Sequence, residues 1–321
     1  LYKKGVRPFS EVAEGRMTVK EFLAQMTDEE VAHLLGGQPN TGVANTFGWG
    51  NMPEYGIPNC MTADGPAGLR IAPECGVTTT AWPCATLLAA TWNPNVVYQV
   101  GAAGGKEVKE NNIAAWLTPA LNIHRSPLCG RNFEYYSEDP LLAGVLAGAM
   151  VKGIQSQGVA ATVKHFALNN KETDRKHSDS RVSERAAREI YLKAFEYVIK
   201  GAKPWAVMSS YNIINGCYAS ENKELLEDIL RDEWGFDGIV LSDCGAIADF
   251  YRDYGHKTHP DAESASAAAV LSGTDLECGS SYEALVEAVK QGKIDEKAVD
   301  VAVKRLLTAR FALGEMDEPE K

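Results

Sequence analysis

The chain has 321 residues, 45% hydrophobic and 23% charged, an ordinary globular composition long enough for two average domains or one large α/β barrel. No apolar run approaches the roughly 20 residues that span a bilayer, which argues against a transmembrane anchor. The formal net charge of −11 argues against a nucleic-acid partner, because counterion release needs clustered Lys and Arg.

Residues 1–16 read as a lead-in segment whose opening, "LYKKGVRPFS", has neither an initiator Met nor a signal-type apolar core. "MTVKEFLAQMTDEEVAHLLGG" (17–37) reads as a helical pair with Thr27 as a cap, and "QPNTGVANTFGWGN" (38–51) as a polar, glycine-rich loop able to cover a site. From about residue 55, strand-like runs alternate with amphipathic helices, the pattern of a parallel sheet wrapped by helices. The runs are "IPNCMTAD" (57–64), "AAWLTPALNI" (114–123), "GVAATVKHF" (158–166), "WAVMSSYN" (205–212), "GIVLSD" (238–243) and "GTDLEC" (273–278). Asn93-Pro94 is a helix start. Ser183 caps a helix whose Ala187, Ile190, Tyr191, Ala194, Phe195 and Val198 form an apolar stripe. A last helix over 295–313 carries Val299, Ala302, Val303 and Leu306 on one side, stops at Gly314, and precedes an acidic tail at 315–321.

No repeat, low-complexity segment or linker divides residues 17–314, so a single α/β domain is expected. A doubly wound sheet would call for a glycine-rich turn after a strand. "GAAGGKE" (101–107) instead sits inside a helical stretch and lacks the GK[ST] ending of a phosphate loop. The seven cysteines, at 60, 75, 84, 129, 217, 244 and 278, show no CxxC pair and no zinc spacing. Their odd, scattered arrangement suits a reducing compartment, which leans toward the cytoplasm.

Polar groups recur at the C-terminal ends of the strand-like runs: Asp64, His124, Lys164 with His165, Tyr211, Asp243, and Asp275 or Glu277. In a barrel those ends converge on one mouth, where catalytic groups sit. Each also has a plainer reading. Asp64 could only start the turn at Gly65-Pro66, Lys164 and His165 could satisfy backbone carbonyls, and "GRNFEYYSEDP" (130–140) could be a surface ion-pair loop.

Five segments together, "DGPAGLR" (64–70), "GRNFEYYSEDP", "KHFALNNKETDR" (164–175), "MSSYNIING" (208–216) and "SDCGA" (242–246), resemble in order the signatures of glycoside hydrolase family 3. The resemblance implies a (β/α)8 TIM-like barrel, irregular in its first and last units, that hydrolyses terminal β-D-glucosides or β-D-xylosides with retention and without metal or cofactor. Asp243 matches the nucleophile. Asp64, Arg131, Lys164, His165 and Tyr211 match residues that hold sugar hydroxyls in the −1 subsite, and Arg175 and Met208 match neighbours of that site. On this reading Arg131 and Lys164 lower the Asp243 pKa, and Tyr211 orients its carboxylate.

The expected partners are small β-linked glycosides, glucose or xylose. β-Glucosidase-like members take their acid/base Glu from a second α/β domain, so the chain reads as a barrel without that domain. Glu172 and Asp174 are the internal substitutes to consider. Residues 17–237 look β-glucosidase-like and 238–314 look β-xylosidase-like, with Cys244 in place of the Trp that helps to form the glucosidase +1 subsite. The xylosidase-like branch implies a Cys244–Cys278 contact, bridged or as two thiols. A carbohydrate-binding or catalytically impaired barrel and an engineered chimeric scaffold are the alternative readings.

Overall fold

The computed structural model describes residues 2–39 and 46–314. The middle of the glycine-rich loop (40–45) and the acidic tail (315–321) lie outside the described residues. A short helix α1 (Ser10–Ala13) precedes two capping boxes. Thr18 and Thr27 accept from the N–H groups of Glu21 and Glu30 at 3.1 and 3.2 Å, and each Glu accepts its threonine's N–H in return. These caps start α2 (Val19–Leu23) and α3 (Asp28–Leu35), as the Thr27 signal predicts.

An antiparallel pair follows, β1 (Gly37–Gln38) with β2 (Gly48–Trp49). The strand and helix units then run as β3 (Thr62–Ala63), α4 (Ala85–Ala90), α5 (Pro94–Glu110), β4 (Ala115–Trp116), α6 (Pro140–Gln155) and β5 (Ala160–Phe166). They continue with β6 (Asp179–Ser180), α7 (Glu184–Ala186), α8 (Lys193–Ala202), β7 (Ala206–Ser209), β8 (Ile213–Ile214), β9 (Cys217–Tyr218) and β10 (Ile239–Ser242). Helices α9 (Ala262–Leu271), α10 (Leu285–Lys290) and α11 (Glu296–Ala312) complete the chain.

Strands β3, β4, β5, β7 and β10 make one parallel sheet in that spatial order, and β6, β8 and β9 form a small sheet beside it. Alternate side chains face opposite layers. Ala161, Val163, Val207 and Val240 join one core cluster with residues of α4, α5, α6 and α8, while Ala160, Met208, Ile239 and Leu241 join another with α3, α9, α10 and α11. The sheet is curled. A parallel bridge joins Leu241 to Leu276, and main-chain bonds from Glu277 to Leu35 (2.8 Å) and Gly37 to Gly279 (2.8 Å) lead on to β1. From β2, Trp49 donates to Cys60 at 3.3 Å, just before β3.

One sequence expectation changes. The helix after Ser183 contains a π turn at Ala187–Tyr191, so its stripe slips in phase. Ala194, Phe195 and Val198 stay buried, but Ile190 is rotated out to the exposed surface. The stretch "GAAGGKE" lies inside α5, as the sequence reading has it, and its glycines serve helix packing. A Cβ at Gly101 would stand 2.7 Å from the Met150 carbonyl oxygen, and one at Gly153 would stand 2.3 Å from that of Tyr98, so α5 and α6 approach as closely as they do only with glycine at the crossing. No helix among the described residues is long and apolar enough to cross a membrane.

Candidate active site

The parallel strands end on one cluster of charges. Asp243 follows β10 directly, and its N–H donates to the Ser209 carbonyl at the end of β7. Its Oδ1 accepts from the Cys244 N–H at 2.8 Å, while Oδ2 is buried and receives no hydrogen bond from the described residues. Tyr211, two residues beyond β7, donates its hydroxyl to the Cys244 carbonyl. It therefore fixes the peptide next to Asp243, whose carboxylate lies beside the same hydroxyl. The Arg175 guanidinium stacks 4.5 Å from the Tyr211 ring centroid. From β5, Lys164 Nζ donates to Asp64 Oδ1 at 3.2 Å. Asp64 does start a tight turn as well, since a Cβ at Gly65 would overlap the Gly68 carbonyl oxygen, so the plain reading holds beside the pairing with Lys164.

His165 sits deeper, its Nε2 at 2.9 Å from Arg131 and its Nδ1 at 3.1 Å from the Tyr135 hydroxyl. Guanidinium can only donate, so Nε2 accepts and the ring proton lies on Nδ1. Burial, reinforced by Arg131, Lys164 and Arg175, holds the imidazole pKa well below its ordinary value, so the ring is neutral. Its 3.9 Å approach to Asp243 Oδ2 is accordingly not an ion pair. Arg131 also pairs with buried Glu134. Three supports escape the sequence reading. Asn122 clasps the His165 main chain, accepting its N–H at 2.8 Å and donating to its carbonyl at 2.9 Å. Tyr135 and Asn169 complete the layer behind the ring. Tyr135 and Glu134 belong to the "GRNFEYYSEDP" segment, but Asn122 carries no signal, because its role depends on β4 and β5 being neighbours.

The expected lowering of the Asp243 pKa is overturned. Arg131, Lys164, the Cys244 N–H and Arg175 do pull it down, but burial is the larger effect and pushes it up to about 6. Burial, followed by the Asp243 charge, raises the Tyr211 hydroxyl, which stays protonated. Met208 is buried in the core cluster on β7.

Other strand-end groups are structural. Asp275 accepts from Arg231 at 2.7 Å, from Arg305 at 3.0 Å and from the Val240 N–H at 2.9 Å. Glu277 accepts the N–H groups of Ser281 and Tyr282 at 3.0 and 2.6 Å. His124 bonds the Asn132 and Tyr135 carbonyls and so holds the loop that carries Arg131. Asp275→Asn should cost about 1.5 to 3 kcal/mol, the scale of hydrogen bonds to charged groups, because Glu227 still pairs with Arg305 at 3.0 Å and burial already penalises the Asp275 carboxylate; urea unfolding at pH 7 measures it. A loss under about 1 kcal/mol, the scale of an exposed pair, would contradict that role. Arg70 is exposed, its N–H spent on the Asp64 carbonyl. Glu172 lies 3.1 Å from Arg175 and 3.8 Å from Arg131, and Asp174 pairs with His177 on the surface.

Cys244, just after β10, and Cys278, just after the bridge at Leu276, form a disulfide, which decides the open choice and removes this pair from the expectation of reduced cysteines. The flank of the glycine-rich loop reaches it, with Thr46 Oγ1 3.8 and 3.9 Å from the two sulfurs. Among the described residues no group of three or more His, Cys, Asp or Glu is placed to hold a metal.

Residues 51–309 match the model of the glycosyl hydrolase family 3 N-terminal domain. β-Glucosidase A of Butyrivibrio fibrisolvens is 57% identical over 295 residues, which cover 92% of this chain and 34% of that protein. An exo-α-(1→6)-L-arabinopyranosidase of Bifidobacterium longum is 45% identical over 86% of this chain and 35% of its own length. Among solved structures, β-glucosidase 3B from Thermotoga neapolitana in complex with α-D-glucose superposes with a TM-score of 0.82 at 42% identity, covering 92% of this chain and 43% of that one. The chain thus spans about a third of the length of these curated relatives. One β-glucosidase is similar across both the glucosidase-like and the xylosidase-like segments. By motif, fold and sequence, the chain belongs to glycosyl hydrolase family 3 and carries its N-terminal domain.

Proposed function

We propose that this chain is the sugar-binding, nucleophile-bearing part of a retaining β-glucosidase, acting through a glycosyl-enzyme on Asp243. The observation that carries the reading is the Asp243 carboxylate itself: one oxygen is held by the Cys244 N–H, and the other is buried with no donor among the described residues, near Arg131, Lys164 and Arg175. A nucleophile needs an oriented carboxylate with one oxygen left to attack C1. Lys164 with Asp64, and Arg131 held in place by neutral His165, supply donors and acceptors for the hydroxyls of one sugar ring. Such contacts fix the ring and strengthen as charge develops at C1. Arg175 positions Tyr211, and Met208 belongs to the core on β7. The β-glucosidase names of relatives favour glucosides over xylosides, while the arabinopyranosidase marks the breadth of the family. We also infer that the main-chain bonds through Leu276, β1 and β2 close the curled sheet into an irregular (β/α)8-like barrel.

The acid/base is proposed to come from a separate α/β domain. A general acid must present a proton-bearing oxygen to the leaving group, yet Asp64, Glu134 and Glu172 are each engaged by a Lys or Arg. Aryl glucosides with good leaving groups bypass that need. A 2-deoxy-2-fluoro-β-glucosyl reagent with a dinitrophenolate leaving group should therefore leave one sugar on the Asp243 peptide, read by mass spectrometry. A sugar on any other residue would overturn the assignment.

Because Asp243 must be ionised to attack, the rate of dinitrophenolate release should fall below a pH of about 6. A limb near the ordinary carboxylate value of about 4 would mean that the cations outweigh burial after all.

A further inference from the structure

The loop that follows the nucleophile builds a second feature beside the site. Asp249 lies in the turn Ala248–Phe250 and is fully buried. Its Oδ1 accepts from Lys176 Nζ at 3.1 Å, and its Oδ2 has no partner among the described residues. The same Nζ stands 5.7 Å from the centroid of the Tyr211 ring and 4.6 Å from that of Tyr254. A lysine stem is flexible and its ammonium well hydrated, so a buried counter-ion and two aromatic faces give this one a defined position. Tyr254 is 47% exposed, but it is not on a loose tip. A Cβ at Gly255 would lie 2.0 Å from the Asp249 carbonyl oxygen, and the His256 N–H donates to the buried Tyr218 hydroxyl at 2.8 Å, so the loop is pressed against the turn that bears Asp249.

Exposure rises along this path, from Asp243 at 8% and Tyr211 at 7% to Tyr254 at 47%. A substrate whose terminal ring is held at the buried end must extend toward the solvent. Beside Tyr211, Arg175 is paired with Glu172, while Lys176 stands between Tyr211 and the exposed ring of Tyr254.

We propose that Lys176 and Tyr254, fixed by Asp249, bind the second pyranose ring of a β-linked substrate, next to the ring held at Asp243. The inference rests on the reading of the Asp243 cluster as a sugar site. An aromatic face takes the C–H face of a pyranose while leaving its hydroxyls wet, and the ammonium donates to a hydroxyl oxygen at its edge. Lys176 and Tyr254 thereby determine the preference for a sugar leaving group, which no motif in the sequence signals.

The test uses the Asp243→Asn chain, which binds without turnover, titrated calorimetrically with glucose and with cellobiose. Cellobiose should bind more tightly than glucose. Adding Tyr254→Ala should weaken cellobiose by about 5-fold, the scale of one aromatic contact, and leave glucose unchanged. The pair Lys176→Met with Asp249→Asn, which leaves no charge buried alone, should act in the same direction. Unchanged cellobiose affinity in both variants would overturn the second-ring site. Failure of glucose itself to bind would instead remove the sugar site at Asp243, and the two failures are told apart by the glucose titration.

Discussion

Asp243→Asn should lower dinitrophenolate release from aryl β-glucosides by roughly 10⁴-fold or more, the scale on which loss of a covalent nucleophile acts, and should also make the protein more stable at pH 7. The second effect follows from burial. The folded carboxyl has a pKa of about 6 against an ordinary value of 3.8, so between those values the folded state binds a proton that the unfolded chain has lost. The stabilising contribution is complete below about pH 4 and is lost as pH rises through about 6. At pH 7 the buried carboxylate then costs about 3 kcal/mol, because each tenfold difference in proton affinity between the two states is worth ~1.4 kcal/mol. Asn keeps the shape, accepts the Cys244 N–H, and removes that cost. Denaturant unfolding of both proteins at pH 7 and pH 4 measures it. A stability gain equal at the two pH values, or none at pH 7, would refute the electrostatic account, and residual turnover near the parent rate would refute the nucleophile.

Lys164→Met is the second large effect. Its ammonium bonds Asp64 at 3.2 Å and is proposed to reach a sugar hydroxyl. Hydrogen bonds to charged groups contribute about 1.5 to 3 kcal/mol each, so kcat/KM for the aryl glucoside should fall by about 10²-fold. The pH profile moves in a defined sense. Lys164 pulls the Asp243 pKa down, so without it the acidic limb should shift above a pH of about 6. Rates measured across the neutral range, on both sides of that limb, separate this from a merely looser fold, which lowers activity without moving the limb. A limb displaced to lower pH would show that Lys164 does not act on Asp243 through its charge.

Much of the architecture is legible in local sequence, for identifiable reasons. Thr27, Ser183 and Asn93-Pro94 mark true helix starts because a cap is satisfied within three residues. The strand runs are readable because parallel strands buried on both faces are continuous apolar stretches. The stripe after Ser183 fails at Ile190 because a π turn inserts a phase change that a fixed period cannot foresee. Asp275 and Glu277 look like site groups only because position at a strand end does not say what stands opposite. Arginines from distant helical segments, and the N–H groups of the next turn, claim them.

The division is physical. Hydrophobic pattern and covalent order specify which residue types end each strand, the order of the family motifs, and the place of Asp243 beside Cys244. Those properties are local and survive in a chain read one residue at a time. Packing in three dimensions is what bridges Cys244 to Cys278, leaves His165 neutral with its proton on Nδ1, brings Asn122 behind it, and lets burial outweigh three cations to raise the Asp243 pKa. Each depends on distances and desolvation between segments far apart in the chain, which no spacing along the sequence encodes.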